Sequence, residues 1–262
     1  MMRYLCLPAM VFISASAAAD TLPFELSITG KNFQVSEPLE LSDVGEGKTR
    51  IGLDFRDKSG KPFRFDLNYK ALPENRSYPT NLDITVSDGA GEKLGYLFFA
   101  NNGVQFLKRM GVFGLVIVVD GEPVDVRFTF DGDRTGKLRV ADLDDERFVQ
   151  DTLVSKYGFQ MIRPVVLPRT GSGMRAKTYR LDAHPFAVNY ALLDQDDGLV
   201  QFQHNLYRLD DNGQHLLARV YYNSDSLETL REAMFAAKYF DKEAGAIKLV
   251  FYPAMGQTEP AR

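Results

Sequence analysis

The stretch DGDRTGKLRVAD, residues 131–142, carries residue types at a spacing that suits an ion. A hard cation such as calcium takes six to eight oxygen ligands, and a twelve-residue loop supplies them from positions one, three, five, seven and twelve, with glycine at six for the sharp turn. Asp131, Asp133 and Thr135 stand at the first three of these positions, the Lys137 carbonyl at seven, Asp142 at twelve, and Gly136 makes the turn. Thr135 offers a neutral oxygen and Asp142 a short side chain, so the cage carries little charge and the expected calcium affinity is weak. The competing reading is a β-to-helix turn in which Asp131 and Asp133 cap the chain and Gly136 supplies positive φ.

This register resembles the EF-hand calcium loop, above all its dockerin version, in which the twelfth ligand is Asp and a helix follows. The resemblance covers residues 131–142 and implies a calcium site there; it says nothing about the rest of the chain.

A second stretch, PVVLPRTGSGMRAK at 164–177, spells LPRTG at 167–171, the pattern that cell-wall sortases cut. A sorting signal needs a membrane-halting apolar run after the cut point, and no run between Ser172 and Arg262 approaches the ~20 apolar residues required. The match is read as coincidence. What remains is a mobile basic loop with Arg169, Arg175, Lys177 and, just beyond, Arg180. Glycines expose backbone N–H groups and guanidinium forks match carboxylate or phosphate, so these four residues are the candidate contacts for an anion or an acidic partner. The bland alternative is a solvated surface loop.

Other chemistry is thin. His204 and His215 lie on a hairpin, far apart along its ladder, and His184 precedes Pro185 in a loop, so all three read as isolated structural histidines. The chain has no G-x-S-x-G elbow and no S-x-x-K pair. Paired carboxylates for glycoside hydrolysis are available in number, but their separation is not written in the sequence.

The opening MMRYLCLPAMVFISASAAAD has an early Arg3, a short apolar run and a cluster of small residues, the pattern of a cleaved secretory signal over residues 1–19. The single cysteine, Cys6, would leave with it, so an exported chain would carry neither a disulfide nor a thiolate. Asn75-Arg76-Ser77 is formally a glycosylation sequon, but a cysteine-free exported chain of about 240 residues points to a bacterial envelope, periplasmic or alternatively secreted. A net charge of −4 argues against nucleic acid as partner. The mature chain is expected to have no transmembrane segment.

These side chains must be positioned by strands. RIGLDF and PFRFDLNY flank DKSGK, LDITV and LGYLFFA flank SDGAGEK, and GLVIVV and PVDVRFTF flank Asp120-Gly121, a hairpin dipeptide that tolerates positive φ. A short helix is expected in NNGVQFLKRMG, a connecting helix over 142–158, and a further helix opened by Asp225 and Glu228 with Leu227, Leu230, Met234 and Tyr239 as its stripe. The expected fold is mainly β: two antiparallel sandwich-like halves, residues 20–141 and 159–262, joined by the helix at 142–158, with a second helix near the C-terminus. The leading function is a non-enzymatic periplasmic binding or accessory protein for an envelope glycan or an exported protein. The alternatives are a carboxylate-dependent hydrolase of envelope polymers and a periplasmic inhibitor or immunity protein using the loop 168–178.

Overall fold

A computed structural model describes residues 21–41, 48–71, 80–101, 104–131, 137–143, 148–154, 159–181, 184–195, 198–226, 234–241 and 245–253. The described chain is mainly β, in two antiparallel sheets, and none of its helices is long and apolar enough to cross a membrane.

Alternation of apolar and polar residues builds the first hairpin, β1 (Leu22–Gly30) with β2 (Phe33–Leu41). A meander follows: β3 (Lys48–Arg56), β4 (Pro62–Ala71), β5 (Thr80–Asp88) and β6 (Lys93–Asn101). The short helix α1 (Val104–Met110) buries Leu107 and Met110 and ends at Gly111, whose φ of 65° and N–H to the Leu107 carbonyl (3.0 Å) form a left-handed stop. Then come β7 (Val112–Val119) and β8 (Glu122–Phe130), turned by Asp120 at φ 52° and Gly121 at φ 83°, the mirror-image hairpin turn.

One turn of 3-10 helix, Val140–Leu143, leads to β9 (Phe148–Val154) and β10 (Phe159–Val165). The chain continues through β11 (Arg169–Gly171), β12 (Met174–Arg180), β13 (Phe186–Asp194), β14 (Val200–Asp210) and β15 (Gly213–Ser224). It closes with β16 (Met234–Asp241) and β17 (Gly245–Pro253).

The nine-stranded sheet runs β11-β12-β13-β14-β15-β7-β8-β1-β2, and the eight-stranded sheet runs β10-β9-β17-β16-β6-β5-β4-β3. They share one core. Phe33 of β2 meets Phe63 of β4 edge-on at 4.9 Å, and Phe65 of β4 lies 5.7 Å from Phe128 of β8. A Cβ on Gly95 of β6 would fall 2.7 Å from a methyl of Ile117 on β7, so the two sheets approach closely at this glycine.

The architecture departs from the expected pair of half-sandwiches. β15 hydrogen-bonds to β7 in one sheet and β16 to β6 in the other, so strands from both halves of the chain are continuous in each sheet. In the described part of 142–158 the expected helix is replaced by the end of the 3-10 turn and by β9, which is held on one side by β17 and on the other by β10. The segment FVQDTLV carries β-branched residues, and two flanking strands satisfy its backbone where a helix would have left both of their edges open. The C-terminal helix is likewise overturned from Met234 onward, where β16 pairs on both sides; Leu227, Glu228 and Leu230 lie outside the described residues.

Outer edges are blunted. β2 carries Glu37, Pro38 and Glu40, β3 carries Arg50, Asp54 and Arg56, and β11 is three residues long.

Candidate functional site on the outer face of the nine-stranded sheet

Alternation decides which side chains leave the core. On β7, Phe113, Leu115 and Ile117 belong to the main core, whereas Val112 and Val116 join Tyr221 and Leu216 in a small separate cluster on the opposite face. The same parity turns Gln201, Gln203 and Asn205 of β14 and Arg219, Tyr221 and Asn223 of β15 outward, because Phe202, Leu206, Ala218, Val220 and Tyr222 are in the core.

The register aligns these polar groups into a rung across the strands. Thr178 of β12 lies opposite Asn189 of β13, Asn189 opposite Asn205, Asn205 opposite Arg219, Arg219 opposite Val116, and Val116 opposite Asp125 of β8. Hydrogen bonds join successive members: Asn189 Nδ2 donates to Thr178 Oγ1 (3.0 Å), Asn205 Nδ2 to Asn189 Oδ1 (3.1 Å) and Arg219 Nε to Asn205 Oδ1 (2.5 Å). Beside it, Gln203 Nε2 donates to Gln201 Oε1 (2.6 Å) and Gln201 Nε2 to Asn223 Oδ1 (3.0 Å).

The rung ends in an electrostatic cluster. Tyr221 lies over Gly114, where any added Cβ would run into its ring, and its hydroxyl donates to Asp125 Oδ1 at 2.7 Å. Burial raises the Asp125 carboxyl above its ordinary range, opposed by the Tyr221 hydrogen bond and by Arg127 and Arg219. Burial and the nearby carboxylate push the Tyr221 phenol up, so it stays a donor. Perturbed acids of this kind gather at binding and catalytic sites as well as in structural networks.

The residues read from the sequence as ion or partner contacts do not converge in this way. Asp131, Lys137 and Asp142 are exposed, and Asp133 and Thr135 lie outside the described residues. Asp142 Oδ2 accepts the Arg139 N–H at 3.0 Å, capping the 3-10 turn. Among the described residues, no three His, Cys, Asp or Glu side chains converge as a metal cluster.

The basic segment is an edge hairpin, not a mobile loop: β11 and β12 turn through Ser172 and Gly173 at φ 67°. Arg175 is 5% exposed and structural, its Nε donating to the Val140 carbonyl (3.2 Å) and Nη1 to the Leu167 carbonyl (3.1 Å). Arg169 lies opposite Arg175, and the exposed Lys177 sits 5.4 Å from the Tyr179 ring. Arg180, three positions on from Lys177, projects to the other face of the strand.

The histidines stay apart. His204 is buried against Tyr190 at 4.4 Å, and His215 pairs with Asp210 at 3.0 Å. The β14–β15 turn is Asp211-Asn212, where the Asp210 carboxylate accepts the Asn212 N–H at 2.8 Å. An extra residue at Leu217 then shifts the register, placing His204 opposite Val220 and His215 opposite Arg208.

A shallow depression on the eight-stranded sheet is lined by Asp54, Arg56, Arg64, Asp66, Ser87 and Asp88. Arg64 bridges Asp54 (2.9 Å) and Asp66 (3.0 Å), Asp88 caps its own turn through the Ala90 and Glu92 N–H groups, and Arg56 donates to the Gly60 carbonyl (2.8 Å), so each of these groups is held by a local contact.

The outward amides were readable in part: QFQHN alternates polar with apolar from Gln201, and the hairpin carrying it is visible in the sequence. Its alignment with Asn189 and Asp125 depends on pairings to β13 and, through β15 and β7, to β8. No protein-family model, curated protein or solved structure matches this chain.

Proposed function

We propose that the chain is an exported, non-enzymatic binding or accessory protein of the bacterial envelope, working through the outer face of its nine-stranded sheet on an envelope glycan or another exported protein. The observation that carries the reading is the rung from Thr178 to Arg219, whose hydroxyl, amide and guanidinium groups are held in one line by hydrogen bonds to each other, with the separate Tyr221–Asp125 pair beyond Val116. A preorganised polar surface loses little conformational entropy on binding. Periplasmic residence follows from the leader-like segment at 1–19.

A weak calcium site at Asp131, Asp133, Thr135, the Lys137 carbonyl and Asp142 belongs to the same reading. Its support is the spacing of these residues, and occupancy would require Asp142 to share or release the Arg139 N–H.

The test is co-sedimentation of the mature protein with isolated envelope polysaccharide, wild type against Arg219→Ala. The reading expects binding by the wild type and loss of most of it in the variant. Equal binding by both would place the ligand elsewhere on the molecule, and binding by neither would remove the glycan branch.

A further inference from the structure

We infer, on the basis of the function proposed above, that the ligand is a neutral, extended polysaccharide chain lying across the strands along the Thr178–Asp125 rung. Neighbouring strands are about 4.8 Å apart, close to one pyranose ring along a β-linked chain, so each strand meets a new sugar unit. The rung crosses β12, β13, β14, β15, β7 and β8, and its five intervals span roughly 24 Å, the reach of about five units.

The chemistry of the groups suits hydroxyls. An amide donates and accepts at once, as a sugar hydroxyl does, whereas recognition of carboxylate or phosphate calls for an excess of cations. Three half-buried neutral amides, Asn189, Gln201 and Gln203, share the face with Arg219, while Asn205, 2% exposed, holds Asn189 and Arg219 in place, and Arg219 and Arg127 are balanced in part by Asp125. Arg219 uses Nε on Asn205, and among the described residues no hydrogen bond occupies its terminal nitrogens, which its Nε contact holds in place at the middle of the line.

Tyr221 contributes no platform, being 5% exposed and packed against Gly114. Affinity must therefore accumulate from hydrogen bonds over several units, and length dependence is the signature. The face is broken at Val116, 7% exposed, which meets the less polar side of a ring rather than its hydroxyls.

The experiment is calorimetric titration of the mature protein with β-1,4-linked N-acetylglucosamine oligomers of increasing length, at low and high salt. Oligogalacturonates form an anionic series and whole envelope polysaccharide a third arm. Affinity for the neutral series is expected to rise by about tenfold or more from dimer to pentamer, then level, with little salt dependence. Asn189→Ala, on the exposed side of the rung, should weaken the pentamer several-fold and leave the dimer nearly unchanged, while circular dichroism confirms the fold. Preference for the anionic series, or equal affinity at every length, overturns the inference. If whole polysaccharide binds in an Arg219-dependent way and the neutral oligomers do not, this inference falls and the general reading stands; if no arm binds, both fall.

Discussion

Replacing His204 with Phe should remove a measurable part of the acid sensitivity of the fold. His204 lies between Phe202 and Leu206 on the core side of β14, is 3% exposed, and its ring sits 4.4 Å from that of Tyr190. Burial pushes its pKa down from 6.5 to about 3, so the folded protein keeps the ring neutral while the unfolded chain takes up a proton below 6.5. Its contribution to stability is therefore complete above the unfolded pKa and declines as pH falls from there toward the folded value. One proton is worth about 1.4 kcal/mol per pH unit, so lowering pH by two units below 6.5 costs about 2.7 kcal/mol through this residue. Nε2 has no hydrogen-bond partner among the described residues, so Phe leaves no partner unsatisfied there. Urea unfolding of both proteins, from about pH 7 down to about pH 4.5, would show the variant losing less stability by an amount of this size, with unchanged m. Acid limbs of equal slope in the two proteins would refute the reasoning.

Three further outcomes are expected. Gly114→Ala should destabilise by about 1 to 3 kcal/mol because its methyl would displace the Tyr221 ring from Asp125, and the cost should largely vanish in a Tyr221→Ala background, as a double-mutant cycle would show. Arg175→Ala, which strips the Val140 and Leu167 carbonyls of a buried guanidinium, should cost at least about 2 kcal/mol in the same unfolding assay, whereas the exposed Arg180→Ala should stay within about 0.5 kcal/mol. In a thermal melt, calcium at a hundred times its dissociation constant should stabilise the protein by about 2.7 kcal/mol and leave Asp131→Ala unmoved; no shift in the wild type would return residues 131–142 to a plain turn.

The local half of the fold was legible. Asp120-Gly121 announced its hairpin because few residue pairs accept two successive positive φ values, and the α1 helix was bracketed by its closing Gly111. What the chain did not disclose was decided by partners distant in sequence. Leu143, Phe148, Leu153 and Tyr157 fit a loose helical stripe, yet β9 is drawn into a sheet by β10 and β17. Leu227, Leu230 and Met234 fit a better stripe, yet Met234 begins a strand because β6 and β17 both offer it a ladder. In the same way Arg175 looked like a surface cation by type and composition. Its burial depends on the carbonyls of Val140, which is held to β13 through Asp194, and of Leu167.

The seating of β16 between β6 and β17, and of β17 between β16 and β9, has a consequence for biogenesis. As the chain is synthesised, β3 through β6 can pair in order, but the far edge of β6 waits until the segment from Met234 onward has arrived, more than a hundred residues later. β9 in turn waits for β17, which begins only at Gly245. During that interval two strands present bare amide ladders to a crowded compartment, which favours chain-to-chain pairing over native closure. A nascent chain released early, or one cut before Met234, would keep those edges permanently unpaired. Such a product should aggregate rather than persist as a stable half-molecule, and holdase chaperones that cover exposed strands would act on it during this window.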